Sequence, residues 1–120
     1  MSGYRDLKVW QAAMQLAEAA YRLSAAFPKH EVYGLVSQIR RSAVSVPSNI
    51  AEGHGRNSLK EFVYFLGVAL GSLAELETQL MLSCQVGYLK QEAINAILQI
   101  SDETGKMIRG LQKSLTSTTN

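Results

Sequence analysis

The stretch SLKEFVYFLGVALGSLAELETQLMLSCQVG, from Ser58 to Gly87, decides the fold. Ser58-Leu59-Lys60-Glu61 is a capping box: the serine hydroxyl can accept from the Glu61 amide, and the glutamate can reach back to the serine backbone. Leu66, Leu70, Leu73, Glu77, Leu80 and Cys84 then recur at alternating spacings of four and three residues, one stripe of a helix. Gly87 supplies the left-handed stop. The reading is a helix over 58–86, about 43 Å long at 1.5 Å per residue. A single helix of that length cannot bury its stripe alone, so the rest of the chain has to supply its neighbours.

It does so with the same period. Upstream, Leu7, Trp10, Met14, Ala17 and Tyr21 form one seam of a helix over 6–27, with Asp6 as its N-cap. A second seam, Val9, Ala13, Leu16, Ala20, Leu23 and Phe27, lies beside it, so the apolar face is wider than one neighbouring helix requires. A helix over 31–54 carries Leu35, Ile39, Ala43, Val46 and Ile50 and ends at Gly53 and Gly55. Pro47 falls inside it and removes the N–H that would bond to the Ala43 carbonyl, which predicts a kink. Downstream, Ile97, Ile100, Thr104, Ile108, Leu111 and Leu115 mark a helix over 90–115, followed by a polar, frayed tail from Thr116 to Asn120. Four long helices with short links predict one all-α domain over 1–120: an antiparallel up-down-up-down four-helix bundle.

Composition narrows the chemistry. The 120 residues weigh 13.2 kDa, with 47% hydrophobic and 18% charged residues, which excludes a disordered chain. One cysteine, Cys84, excludes an intrachain disulfide and a multi-cysteine zinc site; its heptad position fits packing. His30 and His54 have no partners at metal-ligand spacing, so no metal is expected. Glu52-Gly53-His54-Gly55-Arg56 lacks both the Lys-Ser/Thr and the preceding strand of a phosphate-binding loop, and no Glu-x-x-His pair of a di-iron bundle occurs. No catalytic residue and no cofactor are expected: the chain does not read as an enzyme. No apolar run approaches the length of a membrane span and no leader pattern is visible, which predicts a cytoplasmic protein.

Charge leaves two candidate groups. Residues 58–87 hold one lysine against three glutamates, and Glu77 interrupts an otherwise apolar seam. A guanidinium from Arg40 or Arg41 meeting Glu75 or Glu77 across the helix pair would resolve a carboxylate there; the other role for two adjacent arginines is phosphate binding. The second group is a basic surface of Lys29, Arg56, Lys106, Arg109 and Lys113. The net charge of +2 is small for one subunit but multiplies in an oligomer.

Tyr4-Arg5-Asp6-Leu7-Lys8-Val9-Trp10-Gln11-Ala12-Ala13, Phe27-Pro28, the block from Gln38 to Gly53 (QIRRSAVSVPSNIAEG) and Gly71-Ser72-Leu73-Ala74-Glu75-Leu76-Glu77 closely resemble the bacterial ribosomal-RNA intervening-sequence proteins, also called the four-helix bundle protein family. The resemblance implies a left-handed antiparallel bundle assembled as a ring, a homopentamer, and matches the wide apolar face of the first helix. It places signature positions on Arg41, Ser45, Pro47, Asn49, Glu52, Gly53, Ser72, Glu75 and Glu77. Arg40, Arg41, Ser45, Asn49, Glu52, Glu75 and Glu77 are accordingly the candidate polar network or binding set. A related branch is similar to the accessory variability protein of diversity-generating retroelements, a basic pentamer that binds a reverse transcriptase and nucleic acid. The expectation is a non-enzymatic homo-oligomer binding RNA or a nucleic-acid-bound protein through basic side chains, with a protein-interaction scaffold lacking nucleic-acid affinity as the alternative.

Overall fold

The computed structural model describes residues 3–119. A 3-10 turn at Tyr4–Asp6 precedes α1 (Lys8–Ser24); a second at Lys29–Glu31 precedes α2 (Leu35–His54); α3 (Leu59–Gln85) and α4 (Gln91–Thr119) follow. Among the described residues there is no strand. Each helix packs on two others: α1 on α2 and α4, and α3 on α2 and α4. The result is a four-helix bundle about 48 Å long and 22 by 21 Å across. Among the described residues no helix is long and apolar enough to cross a membrane.

The α3 signals act as their chemistry requires. Ser58 Oγ accepts from the Glu61 amide at 3.1 Å, and the Glu61 carboxylate meets the Ser58 hydroxyl at 3.3 Å instead of the serine backbone amide. At the far end Gly87 adopts φ +90°, the Gly87 amide donates to Cys84 O, and the Tyr88 amide donates to Ser83 O at 2.9 Å. These two reverse bonds form a Schellman stop that a side chain would strain.

Four boundaries differ from the sequence reading, the simplest being that the first helix ends at Ser24 and not at Phe27. Asp6 is not an N-cap: residues 4–6 form their own turn, Leu7 is extended, and α1 starts at Lys8. The Tyr4 ring packs edge-on against Trp10 with centroids 5.2 Å apart, which holds the turn folded. The second helix starts at Leu35 instead of Glu31, because Gly34 breaks the run and Glu31 Oε1 accepts from the Leu35 amide at 3.1 Å, capping α2 from outside. The expected frayed tail is instead the last turns of α4 as far as Thr119; Asn120 lies outside the described residues.

The core collects Leu16, Ile39, Ile50, Leu66, Leu76, Leu80, Ile94, Ile97 and Ile108, all at most 2% exposed. Of the two α1 seams, Val9, Ala13, Leu16 and Ala20 are buried there, whereas Met14 and Tyr21 of the other remain exposed and Trp10 is half-buried. α2 continues through Pro47, which is itself buried. On the α2/α3 side the backbones come close: a Cβ on Gly53 would lie 2.7 Å from Phe65 Cβ.

Candidate functional site

Three serines and two amides set the contact between α2 and α3. Ser42 Oγ donates to Gln79 Oε1 at 2.8 Å. One turn later Ser45 Oγ and Ser72 Oγ lie 2.8 Å apart, and Asn49 Nδ2 donates to both the Ser45 carbonyl and its hydroxyl, at 2.8 and 2.9 Å. Ser45, Ser72 and Asn49 thus form one connected network beside Pro47. Its buried side-chain atoms are all satisfied, so it fixes register without a desolvation penalty.

The expected arginine–glutamate pairing is not what the helices make. Arg40 turns to α1: its Nε donates to Ser24 Oγ at 3.0 Å, its Nη2 to Tyr21 O at 3.3 Å, and the guanidinium lies 4.5 Å from the Tyr21 ring centroid. It therefore sits against the carbonyl end of α1, where the helix dipole favours a cation. Glu77 faces α4 and accepts from the buried Ser101 hydroxyl. Glu52 pairs with Arg56 at 2.6 Å on the surface. Arg41 and Glu75 line one polar cleft between α2 and α3 together with Tyr33, Ser37, Gln38 and Gln79, but do not bond to each other. Of the seven candidate polar residues, the fold joins Ser45 with Asn49 and Arg41 with Glu75, and sends the other three elsewhere.

The basic candidates divide in the same way. Lys29 lies before α2 and Arg56 after it, so they belong to opposite ends of that helix. Arg56 is bound by Glu52 and approaches Glu61 at 3.9 Å, and Lys106 pairs with Asp102 at 3.2 Å. Lys106, Arg109 and Lys113 follow one another at spacings of three and four on α4, hence along one exposed stripe. Gln112 Nε2 donates to Val63 O, which sets the Lys113 end of this stripe beside the start of α3, where Lys60 is exposed. Lys60 comes to this end of the bundle only through folding; its sequence position inside the capping box gave no sign of it.

A third feature is apolar. Trp10, Met14, Ala17 and Tyr21 of α1 and Val44, Pro47 and Ala51 of α2 line an open groove of about 640 Å³, closed at one end by Tyr4. Met14, Tyr21 and Val44 are 45%, 43% and 42% exposed. The whole chain exposes 7283 Å², against roughly 6,400 Å² expected for a compact monomer of this mass.

At the opposite end from the α2/α3 link, the histidine sits in a clasp. Tyr88 Oη donates to Glu31 Oε2 at 2.8 Å and lies 3.2 Å from His30 Nε2, while its ring packs on Phe27. The Leu35 amide first, and the Tyr88 hydroxyl second, hold the Glu31 carboxyl below the usual glutamate range; the same carboxylate pushes the Tyr88 hydroxyl up. His54 stacks edge-on against Phe62 at 5.7 Å. Both histidines are thus engaged with aromatic rings.

Comparison with known proteins matches residues 5–110 to the family model described as 23S rRNA-intervening sequence protein. Among solved structures the chain is similar to a protein of unknown function from the S23 ribosomal protein family of Bacteroides thetaiotaomicron VPI-5482, with a TM-score of 0.81 and 25% identity over 88% of this chain and 95% of that one. No curated protein matches it.

Proposed function

The chain belongs to the 23S rRNA-intervening sequence protein family, a family without an assigned activity, and on that premise we propose that it acts as a non-enzymatic, self-assembling bundle that binds RNA. The α1/α2 groove supports self-assembly. Trp10, Met14, Tyr21 and Val44 present a contiguous apolar surface that a lone soluble chain would normally cover. A second copy seated there, closing into a ring, makes the homopentamer that the resemblance implies.

The α4 stripe supports the ligand class. Lys106, Arg109 and Lys113, with Lys60 at the same end, offer phosphate contacts without base readout, and repetition around a ring turns a weak charge excess into a strong field. The partner class is RNA, or a nucleoprotein, in the cytoplasm. A second reading is a protein-interaction scaffold without nucleic-acid affinity; it is favoured by the ion pairs that already engage Arg56 and Lys106. A salt series separates them. Affinity for a structured RNA that falls linearly with log salt, and that Arg109→Gln with Lys113→Gln weakens, supports RNA binding; no binding at low salt leaves the scaffold.

A further inference from the structure

The α2/α3 cleft has a composition that the RNA-binding reading does not use. It is a depression of about 480 Å³ open to solvent, comparable in volume to the roughly 300–1,000 Å³ of small-ligand sites. Arg41 and Glu75 both line it, and neither makes a hydrogen bond or ion pair among the described residues. Opposite charges that share a cavity without meeting leave one donor fork and one acceptor pair open to a ligand.

Gln79 adds a rigid group. It is 9% exposed, and Ser42 holds its Oε1. Its Nε2 has no partner, yet among the described residues no buried side-chain nitrogen or oxygen is unsatisfied. That nitrogen therefore opens on the cleft. Tyr33, 95% exposed, stands at the rim with a free ring face.

A ligand satisfying this set carries an acceptor edge for Arg41 and Gln79, a donor edge for Glu75, and a flat face for Tyr33. Guanine has all three on one small frame: O6 and N7 accept, and N1–H with the N2 amino group donates. Adenine would turn the lone pair of N1 toward a carboxylate, and uracil offers one N–H between two carbonyls. We propose that this cleft binds a guanine base, with Glu75 accepting from its N1–H and N2 edge, Arg41 donating to O6 and N7, and Tyr33 covering its face. The inference rests on the RNA-binding reading and adds base selection to it; the same chemistry would capture a free guanine nucleotide.

The test titrates the full chain with the oligonucleotides UUGUU and UUAUU as RNA, and separately with guanosine 5′-monophosphate. UUGUU binds about tenfold or more tightly than UUAUU, and Glu75→Gln or Arg41→Gln, both changes at exposed side chains, brings the two within about twofold. Equal affinity for both oligonucleotides in the unmodified chain overturns the guanine site and leaves RNA binding standing. Binding of the monophosphate with neither oligonucleotide bound overturns base selection on RNA and retains the cleft as a free-nucleotide site, leaving RNA binding to the structured-RNA salt series. Binding of none of the three overturns the guanine site, and RNA binding is then decided by the structured-RNA salt series.

Discussion

The two flanks of α2 are built in opposite ways. Toward α3 the helix closes: Gly53 lets the backbones approach, Ser42, Ser45 and Ser72 replace bulk with hydrogen bonds, and no buried polar atom is left over. Toward α1 it stays open: Val46 and Ile50 are buried, but Val44, Pro47 and Ala51 line the groove opposite Trp10 and Met14. Beneath the polar cleft at its Arg41 end, the closed flank has the features of a finished interior, and the open one resembles an interface awaiting its other half. Small residues and paired hydroxyls specify one register, while large, adaptable ones such as methionine suit a surface that must meet another chain.

Substitutions can break or sharpen this contrast. The largest effect falls on the closed side, where Leu76→Ala leaves a cavity at a fully buried site and lowers stability by about 2–5 kcal/mol in denaturant unfolding. Gly53→Ala forces a methyl to within 2.7 Å of Phe65 Cβ and costs about 1–3 kcal/mol by the same assay; a neutral result would show the α2/α3 contact to be looser than described. Gly67 lies on the same α3 with only Gln112 Nε2 at 3.6 Å, so Gly67→Ala gains about 0.5–1 kcal/mol by helix propensity. On the open side, Met14→Ser changes the unfolding free energy of a dissociated subunit by less than about 0.5 kcal/mol while lowering the assembled mass.

The Glu31–Tyr88 clasp serves as a control outside both flanks. Because the folded carboxyl titrates below its unfolded value, its stabilising contribution is complete above the ordinary glutamate range and is lost as pH falls through the lowered folded value. The raised Tyr88 hydroxyl acts in the opposite sense: its contribution is present below the ordinary tyrosine range and is lost as pH rises through the raised value. Glu31→Gln therefore flattens the acid limb of stability against pH, and an unchanged limb would place the acid sensitivity elsewhere.

Much of this architecture was legible in the residues. The capping box at Ser58, the stop at Gly87 and the doubled seam of α1 each carry a local physical signal, and the structure honours all three. Asp6 misled because N-cap preference is a local statement, whereas the Tyr4–Trp10 contact that folds residues 4–6 into a separate turn is tertiary. The arginine–glutamate expectation failed for a related reason. Heptad spacing places Glu77 on an inward-facing row but does not say which neighbour it meets, and Ser101 of α4 is the one that does. Arg40 likewise lies on α2 but is claimed by the last turn of α1. The polar cleft was half visible: Arg41 and Glu75 stood out as charges, whereas Gln79 and Tyr33 gained meaning only when the fold set them around one cavity.

The claim that the open flank of α2 is a subunit interface is tested most directly by the solution mass at micromolar concentration, measured by light scattering on the unmodified chain and on Met14→Ser. The unmodified chain should give several times 13.2 kDa, near five subunits, with Met14→Ser shifted toward the single chain. A mass of 13.2 kDa for the unmodified chain would contradict the account.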